Sequence, residues 1–207
     1  MPAANRVDKH DARRRALADS ALRTLGELGY ARASLREIAQ NSPFSHGVVH
    51  YYFADKLELI VYCVRRYKAV CVTRYDGAVA GASTPAGLLG AFSDTLCATL
   101  VDDAPMHRLW YDLRAQSMFE PSLREAVGQI DRTLEDMVWR VVTRYAELSA
   151  TEPSLSPHAA YGVVDGVFQQ ALLGLLDGDE DAVLARLRAE VAGLLPLTLR
   201  PAPVTSP

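Results

Sequence analysis

Between Ala33 and Lys56 the chain reads ASLREIAQNSPFSHGVVHYYFADK. Ser34, Arg36, Ser45, His46, Val48, Val49, His50, Tyr51, Tyr52 and Lys56 crowd hydroxyl, cationic, imidazole and aromatic groups into two dozen residues. Such groups donate to phosphate oxygens or to base edges. Val48 cannot donate to a base, but it can pack on a thymine methyl. His46 and His50 stand at i, i+4 on one helical face, the spacing of a metal-binding pair. No Asp, Glu or Cys lies near enough in sequence to complete a metal shell, so the pair is assigned to DNA contact and no metal site is expected. Histidine titrates near neutrality, so the pair can also make binding pH-sensitive.

The elements that hold these groups follow from caps and periodicity. Ser34-Leu35-Arg36-Glu37 is a capping box, and it opens a helix that turns Leu35, Ile38 and Ala39 inward. Pro43 interrupts the chain. Ser45 caps a short helix, His46 to about Tyr52. Two short helices joined by a tight turn make a helix-turn-helix whose second member reads the major groove. Gly47 reads as small where the two helices approach. Phe53 reads as a core anchor, and Tyr52 as either core or phosphate contact. Asp55 caps a helix from Lys56 to about Val79, with Leu57, Ile60, Val61, Val64 and Tyr67 on one face. Lys56 and the amides at that helix start can together hold a phosphate. Upstream, Leu17, Ala21, Leu25 and Leu28 mark a helix from about 11 to 28, stopped by Gly29-Tyr30 with Gly29 left-handed. Arg13, Arg14 and Arg15 on that helix are either phosphate contacts or a solvated basic face.

The rest of the chain also reads as helix, giving an all-α fold of about nine helices. Gly81 to Pro85 is a loop. Beyond it lie helices at about 86–101, 104–118, 121–149, 157–177 and 180–196. Leu123, Val127, Ile130, Leu134, Met137, Val138, Val141, Tyr145 and Leu148 hold the 3.6 period through the third. The fourth is apolar around most of its circumference (Tyr161, Val163, Val164, Val167, Phe168, Ala171, Leu172, Leu175, Leu176). With Val183, Leu184, Leu187, Val191 and Leu194 on the last, it is assigned to a homodimer interface. Residues 1–54 are read as a DNA-binding domain, 55–200 as a ligand-binding and dimerisation domain, and 201–207 as a disordered tail. No strand is expected.

Bulk properties narrow the function classes. The chain has 49% hydrophobic and 23% charged residues, ordinary for a globular protein. No membrane span or signal peptide is expected, and the location expected is the cytoplasm. Cys63, Cys71 and Cys97 show neither metal nor disulfide spacing, and Cys63 and Cys71 fall about 12 Å apart along one helix. The overall charge of −3 divides into a basic first 70 residues and an acidic remainder. That polarity suits a nucleic-acid-binding head on an acidic body. The sequence contains no G-x-S-x-G, P-loop, H-E-x-x-H or paired Glu-x-x-His set, so neither an enzyme nor a cofactor is expected.

From Arg13 to about Tyr67 the chain resembles the DNA-binding domain of TetR-family transcriptional regulators. The resemblance rests on Gly29-Tyr30, Ser34-Leu35-Arg36-Glu37-Ile38-Ala39, Ser45-His46-Gly47, Tyr52-Phe53 and Asp55-Lys56-Leu57-Glu58-Leu59. It departs at Pro43, where the family usually has glycine, and at Phe44, usually a smaller aliphatic. His46, Val48 and His50 stand where the family often has lysine, threonine and tyrosine. Arg108-Leu109-Trp110 followed by Glu120-Pro121-Ser122-Leu123 resembles in outline the C-terminal region of the choline-responsive repressor branch, and names no ligand. The resemblance implies a homodimeric repressor on a palindromic operator, released by a small-molecule effector, and supports a phosphate role for Lys56. Candidate effector-lining residues are Phe92, Leu96, Trp110, Arg114, Met118, Met137, Val141, Phe168 and Gln169, with Arg114 or Gln169 as the polar hook. The alternative is an interaction protein of the same fold that has lost DNA binding.

Overall fold

The computed structural model describes residues 2–202, with side chains from Lys9 onward. Ten helices follow in chain order among these residues: α1 (Pro2–Arg32), α2 (Leu35–Gln40), α3 (His46–Tyr52), α4 (Lys56–Thr73), α5 (Asp76–Gly81), α6 (Pro85–Asp102), α7 (Ala104–Gln116), α8 (Pro121–Leu148), α9 (Pro157–Leu176) and α10 (Glu180–Leu197). The fold is all-α except for two three-residue strands, β1 (Thr151–Pro153) and β2 (Leu199–Pro201), paired antiparallel. Three residues are too few to show an alternating pattern, which is why the strands were not legible in the sequence. Pro201, read as the start of the tail, pairs with Thr151 in this ladder. Residues 203–207, the remainder of that tail, lie outside the described residues.

Local chemistry explains most boundaries. Thr84, Ser156 and Asp179 accept the amides of Gly87, Ala159 and Ala182 and so cap α6, α9 and α10. α1 begins well before residue 11, in a polar stretch that carries no apolar period. Gly29 has φ 72° and ψ 177°, a kink inside α1 that only glycine adopts without strain. The helix expected over 56–79 is two helices, because the chain turns at Arg74-Tyr75. Tyr75 is buried there, its hydroxyl 3.1 Å from the Thr99 hydroxyl and its ring 5.6 Å from Phe92. Arg74 pairs with Asp103 across the same turn.

The chain forms two compact units that interleave in sequence. The first holds residues up to Tyr67 together with Pro105–Gly128, and the second holds Lys68–Ala104 together with the chain from Gln129 onward. The cut between residues 54 and 55 is therefore not the spatial one. In the first unit, Leu17, Ala18, Ala21, Leu25, Ile38, Val49, Phe53, Ile60 and Leu113 are buried. In the second, α6 packs on α9 and α10, and Leu88, Phe92, Leu100, Leu172, Leu187 and Val191 of these helices are buried, as is Val141 of α8. α9, at mean hydropathy 1.3, is by length and composition able to cross a membrane, which corrects the expectation that no such run exists. Asp165, Gln169 and Gln170 interrupt its apolar surface.

Candidate nucleic-acid interface

The helix-turn-helix is built by two hydroxyl caps. The Glu37 amide donates to Ser34 Oγ at 3.2 Å, and the Ser34 hydroxyl donates to Glu37 Oε2 at 2.7 Å. The carboxylate thus closes the box on the serine hydroxyl instead of on its backbone amide. In the turn, Ser42 Oγ accepts the Phe44 amide at 3.2 Å and donates to the Ala39 carbonyl at 3.2 Å. A side chain thereby stabilises the conformation that Pro43 imposes. Phe44 turns into the core beneath the Arg13 guanidinium, 4.8 Å from its ring centroid. Ser45 Oγ accepts the Val48 amide at 3.4 Å and starts α3.

α3 presents His46, Gly47, His50 and Tyr51 outward, with Val48 and Tyr52 half-buried. Tyr51 is 74% exposed. The His46 and His50 rings meet edge to face, 4.4 Å between centroids. The Tyr52 ring meets Tyr51 edge to face at 5.0 Å and lies tilted against His10 of α1 at 4.8 Å. Arg36, Gln40, Ser45 and His46 line an open notch between α2 and α3, while Ser34 is half-buried and engaged with Glu37. Val49 is corrected. It is fully buried beside the exposed His46 and His50 and anchors α3 to the core. Gly47 is corrected too, since a Cβ there would meet nothing within 4 Å.

Lys56 stands at the start of α4, with Nζ donating to the Tyr30 carbonyl at 2.8 Å and lying 4.4 Å from the Tyr30 ring centroid. An ammonium has three donors, so this bond aims the group and leaves donors for a phosphate. The helix start beside it is already occupied. Asp55 Oδ1 accepts the Glu58 amide at 2.8 Å, and Glu58 Oε2 accepts the Ala54 amide at 2.8 Å. The Glu58 and Ala54 amides are therefore not open to a phosphate, which corrects their expected share in holding one.

The three arginines of α1 separate. Arg13 and Arg15 are exposed, but Arg14 lies over the rings of Phe53 (4.8 Å) and Tyr62 (4.6 Å) and pairs with Glu58. It is a strut of the head. Its register with Leu17, Ala18 and Ala21 on the buried stripe was the available signal.

The candidate effector residues divide between the units. Phe92, Leu96, Met137, Val141 and Phe168 are buried in the second unit. Trp110 is buried and Arg114 half-buried in the first unit. Met118 is 68% exposed and Gln169 faces solvent, so both leave the lining set. Met118 lies beyond the end of α7, where its helical register no longer holds. Gln169 lies off the buried stripe of Phe168 and Leu172 on α9. Sequence reasoning missed Lys68, a 4% exposed lysine on α4 facing Asp103, Asp131 and Asp165. Burial pushes its ammonium from the usual 10.5 to about 8, against the pull of the carboxylates. The Tyr161 hydroxyl donates to Asp131 at 2.8 Å in the same network. Lysine in register with Ile60 and Val64 was its signal. Among the described residues no group of three metal-ligating side chains gathers.

These elements match known proteins along most of the chain. Residues 17–63 match the model of bacterial regulatory proteins of the tetR family, and residues 85–196 match the C-terminal model of BetI-type transcriptional repressors. The HTH-type transcriptional regulator BetI of Burkholderia mallei is 32% identical over 184 residues, covering 84% of this chain and 87% of that protein. The BetI regulator of Cronobacter sakazakii is 29% identical over 173 residues, 81% of this chain and 83% of its own. In fold, a TetR transcription regulator from Haloarcula marismortui superposes with a TM-score of 0.73 at 16% identity, covering 92% of this chain and all of that one. A helix-turn-helix and a repressor-type C-terminal region in one chain make this protein a member of the TetR family of transcriptional regulators, with a C-terminal region of the BetI type.

Proposed function

We propose that the protein is a homodimeric repressor that grips a palindromic operator with α2 and α3 and releases it when a small molecule binds the helical body. The observation that carries the DNA half is the exposed face of α3. His46, His50 and Tyr51 project together from a doubly capped helix, beside Arg36 and the aimed Lys56. Intact caps and an internally bonded turn at Pro43 weigh against the alternative of a fold that has lost DNA binding. Residues 1–54 carry the reading helices, with Lys56 just beyond them, and the sensing and dimerising functions are assigned within 55–200, in the cytoplasm. Phe92, Leu96, Met137, Val141 and Phe168 supply apolar surface for the effector, and Lys68, Asp131 and Asp165 supply charge.

The test is selection of bound duplexes from a random DNA pool, followed by a salt titration on the enriched sequence. The expected result is a two-fold symmetric site whose half-sites lie about one helical turn, 34–36 Å, apart. Affinity should fall steeply with salt, by about 0.9 log units per log unit of salt for each neutralised phosphate. A folded protein that enriches no sequence would sink the proposal.

α9 and α10 support the dimer. Leu173 and Leu176 are 52% and 56% exposed on α9, in line with exposed Gly162 and Gly166. α10 exposes Ala182, Ala185, Ala189, Ala192 and Gly193 as a stripe of small residues. In a two-fold interface one residue acts twice. Leu173→Glu would bury an unpaired carboxylate at about 3–5 kcal/mol per copy. Sedimentation velocity should then show a monomer, with operator affinity reduced at least a hundredfold. A variant that still sediments as a dimer would place the interface elsewhere.

A further inference from the structure

The segment Pro105–Gly128 belongs by sequence to the repressor-type C-terminal match, yet it folds within the same compact unit as the helix-turn-helix. One face of α7 meets the end of α1 at three points. A Cβ at Gly26 would lie 2.8 Å from Pro105 Cβ, so α7 approaches there as closely as glycine permits. Arg108 Nη2 donates to the Gly26 carbonyl at 3.4 Å. Asp112 Oδ2 accepts the Tyr30 amide at 2.6 Å, a short charge-assisted bond. Pro105, Arg108 and Asp112 are spaced i, i+3, i+7, the spacing of one helix face.

The corner that Asp112 grips is also the seat of Lys56. Tyr30 gives its amide to Asp112, its carbonyl to the Lys56 ammonium at 2.8 Å, and its ring face to the same ammonium. The kink at Gly29 makes this possible. Its φ of 72° turns the Tyr30 amide out of the helix ladder, and a Cβ there would sit 3.1 Å from Asp112 Oδ2.

We infer that Asp112 is a positioning residue for DNA binding: it fixes the Gly29-Tyr30 corner on which the Lys56 ammonium rests, and so joins α7 to the phosphate grip. This rests on the DNA-binding reading above. Any displacement of α7 along its axis would move the Tyr30 carbonyl and ring together, and Lys56 with them. Asp55 and Glu120 add negative charge around the Tyr30 ring, which favours keeping the ammonium there.

The experiment is a double-mutant cycle on the full chain, using the selected operator duplex between 50 and 200 mM salt. Lys56→Met should remove one phosphate contact per protomer. That lowers the salt slope by about 2 per dimer, and it changes the ratio of affinities at the two salt concentrations about tenfold. Asp112→Leu, which touches no DNA, should reproduce most of that change, and the double variant should be no worse than Lys56→Met alone. Asp112→Asn keeps an acceptor oxygen for the Tyr30 amide and should restore most of the slope. If Asp112→Leu does not fold, Asp112→Ser, too short to reach the amide, makes the same comparison. A wild-type salt slope in the Asp112 variants, or losses that simply add, would overturn the inference while leaving DNA binding intact. A wild type that binds no duplex would overturn both.

Discussion

Phe53→Ala should lower the unfolding free energy by about 3–5 kcal/mol and abolish operator binding with it. Phe53 is 1% exposed and forms the C-cap of α3, its amide donating to the Val49 carbonyl at 3.0 Å. Its ring lies 5.5 Å from Tyr62 and carries the Arg14 guanidinium at 4.8 Å. Truncation opens a cavity and removes one of the two rings beneath a cation. Arg14 has little to fall back on, because its Nε is already buried without a hydrogen-bond partner. Arg14 also pairs with Glu58, whose other oxygen accepts the Ala54 amide at 2.8 Å, so the joint between α3 and α4 loosens as well. Denaturant unfolding followed by circular dichroism measures the loss. A change below 1 kcal/mol would mean that α3 is held by something other than this anchor.

Lys68→Met should remove a pH dependence of stability that the wild type shows above pH 8. The Lys68 ammonium has its pKa lowered by burial from 10.5 to about 8, with Cys71, Asp165, Asp103 and Asp131 opposing. Between those values the unfolded chain holds a proton that the folded chain has shed. Stability then rises with pH, by at most about 1.4 kcal/mol per unit. The rise totals on the order of 3 kcal/mol across the window and is absent below pH 8, where both states are protonated. Cys63 and Tyr75 act in the opposite direction. Burial raises both pKa values, so their contribution is full below the ordinary thiol and phenol range and is lost as pH rises through it. Those contributions cancel in the difference between wild type and Lys68→Met, which is the quantity to measure by unfolding from pH 7 to 10.5. The difference should move in favour of the wild type as pH rises. A flat difference would mean that Lys68 stays charged in the folded protein, held by its carboxylates.

The helix-turn-helix was legible because its signals are local. Ser34 and Ser45 cap helices that begin one residue later, and a cap needs only three residues to declare itself. The ends of α6 to α10 fall close to where periodicity and caps put them, for the same reason. Helix α3 shows where locality fails. Seven residues make barely two turns, so no period separates buried Val49 from exposed His46 and His50. The lysine and arginine that turn inward, Lys68 and Arg14, keep the register of the apolar stripe. Charge argued for solvent there, and packing decided otherwise.

By itself, the sequence determined the order of helices, the caps that bound them, the motif that reads DNA and the basic head that carries it. Each depends on bonds between residues three or four apart, or on composition. Only the tertiary structure decided that Pro105–Gly128 joins the head, that Lys56 rests on Tyr30, and that Asp112, 82 residues away from Tyr30, holds the corner between them. Contacts at that separation leave no periodic trace along the chain. They arise when packing brings two helix faces together and a buried peptide group must find a partner.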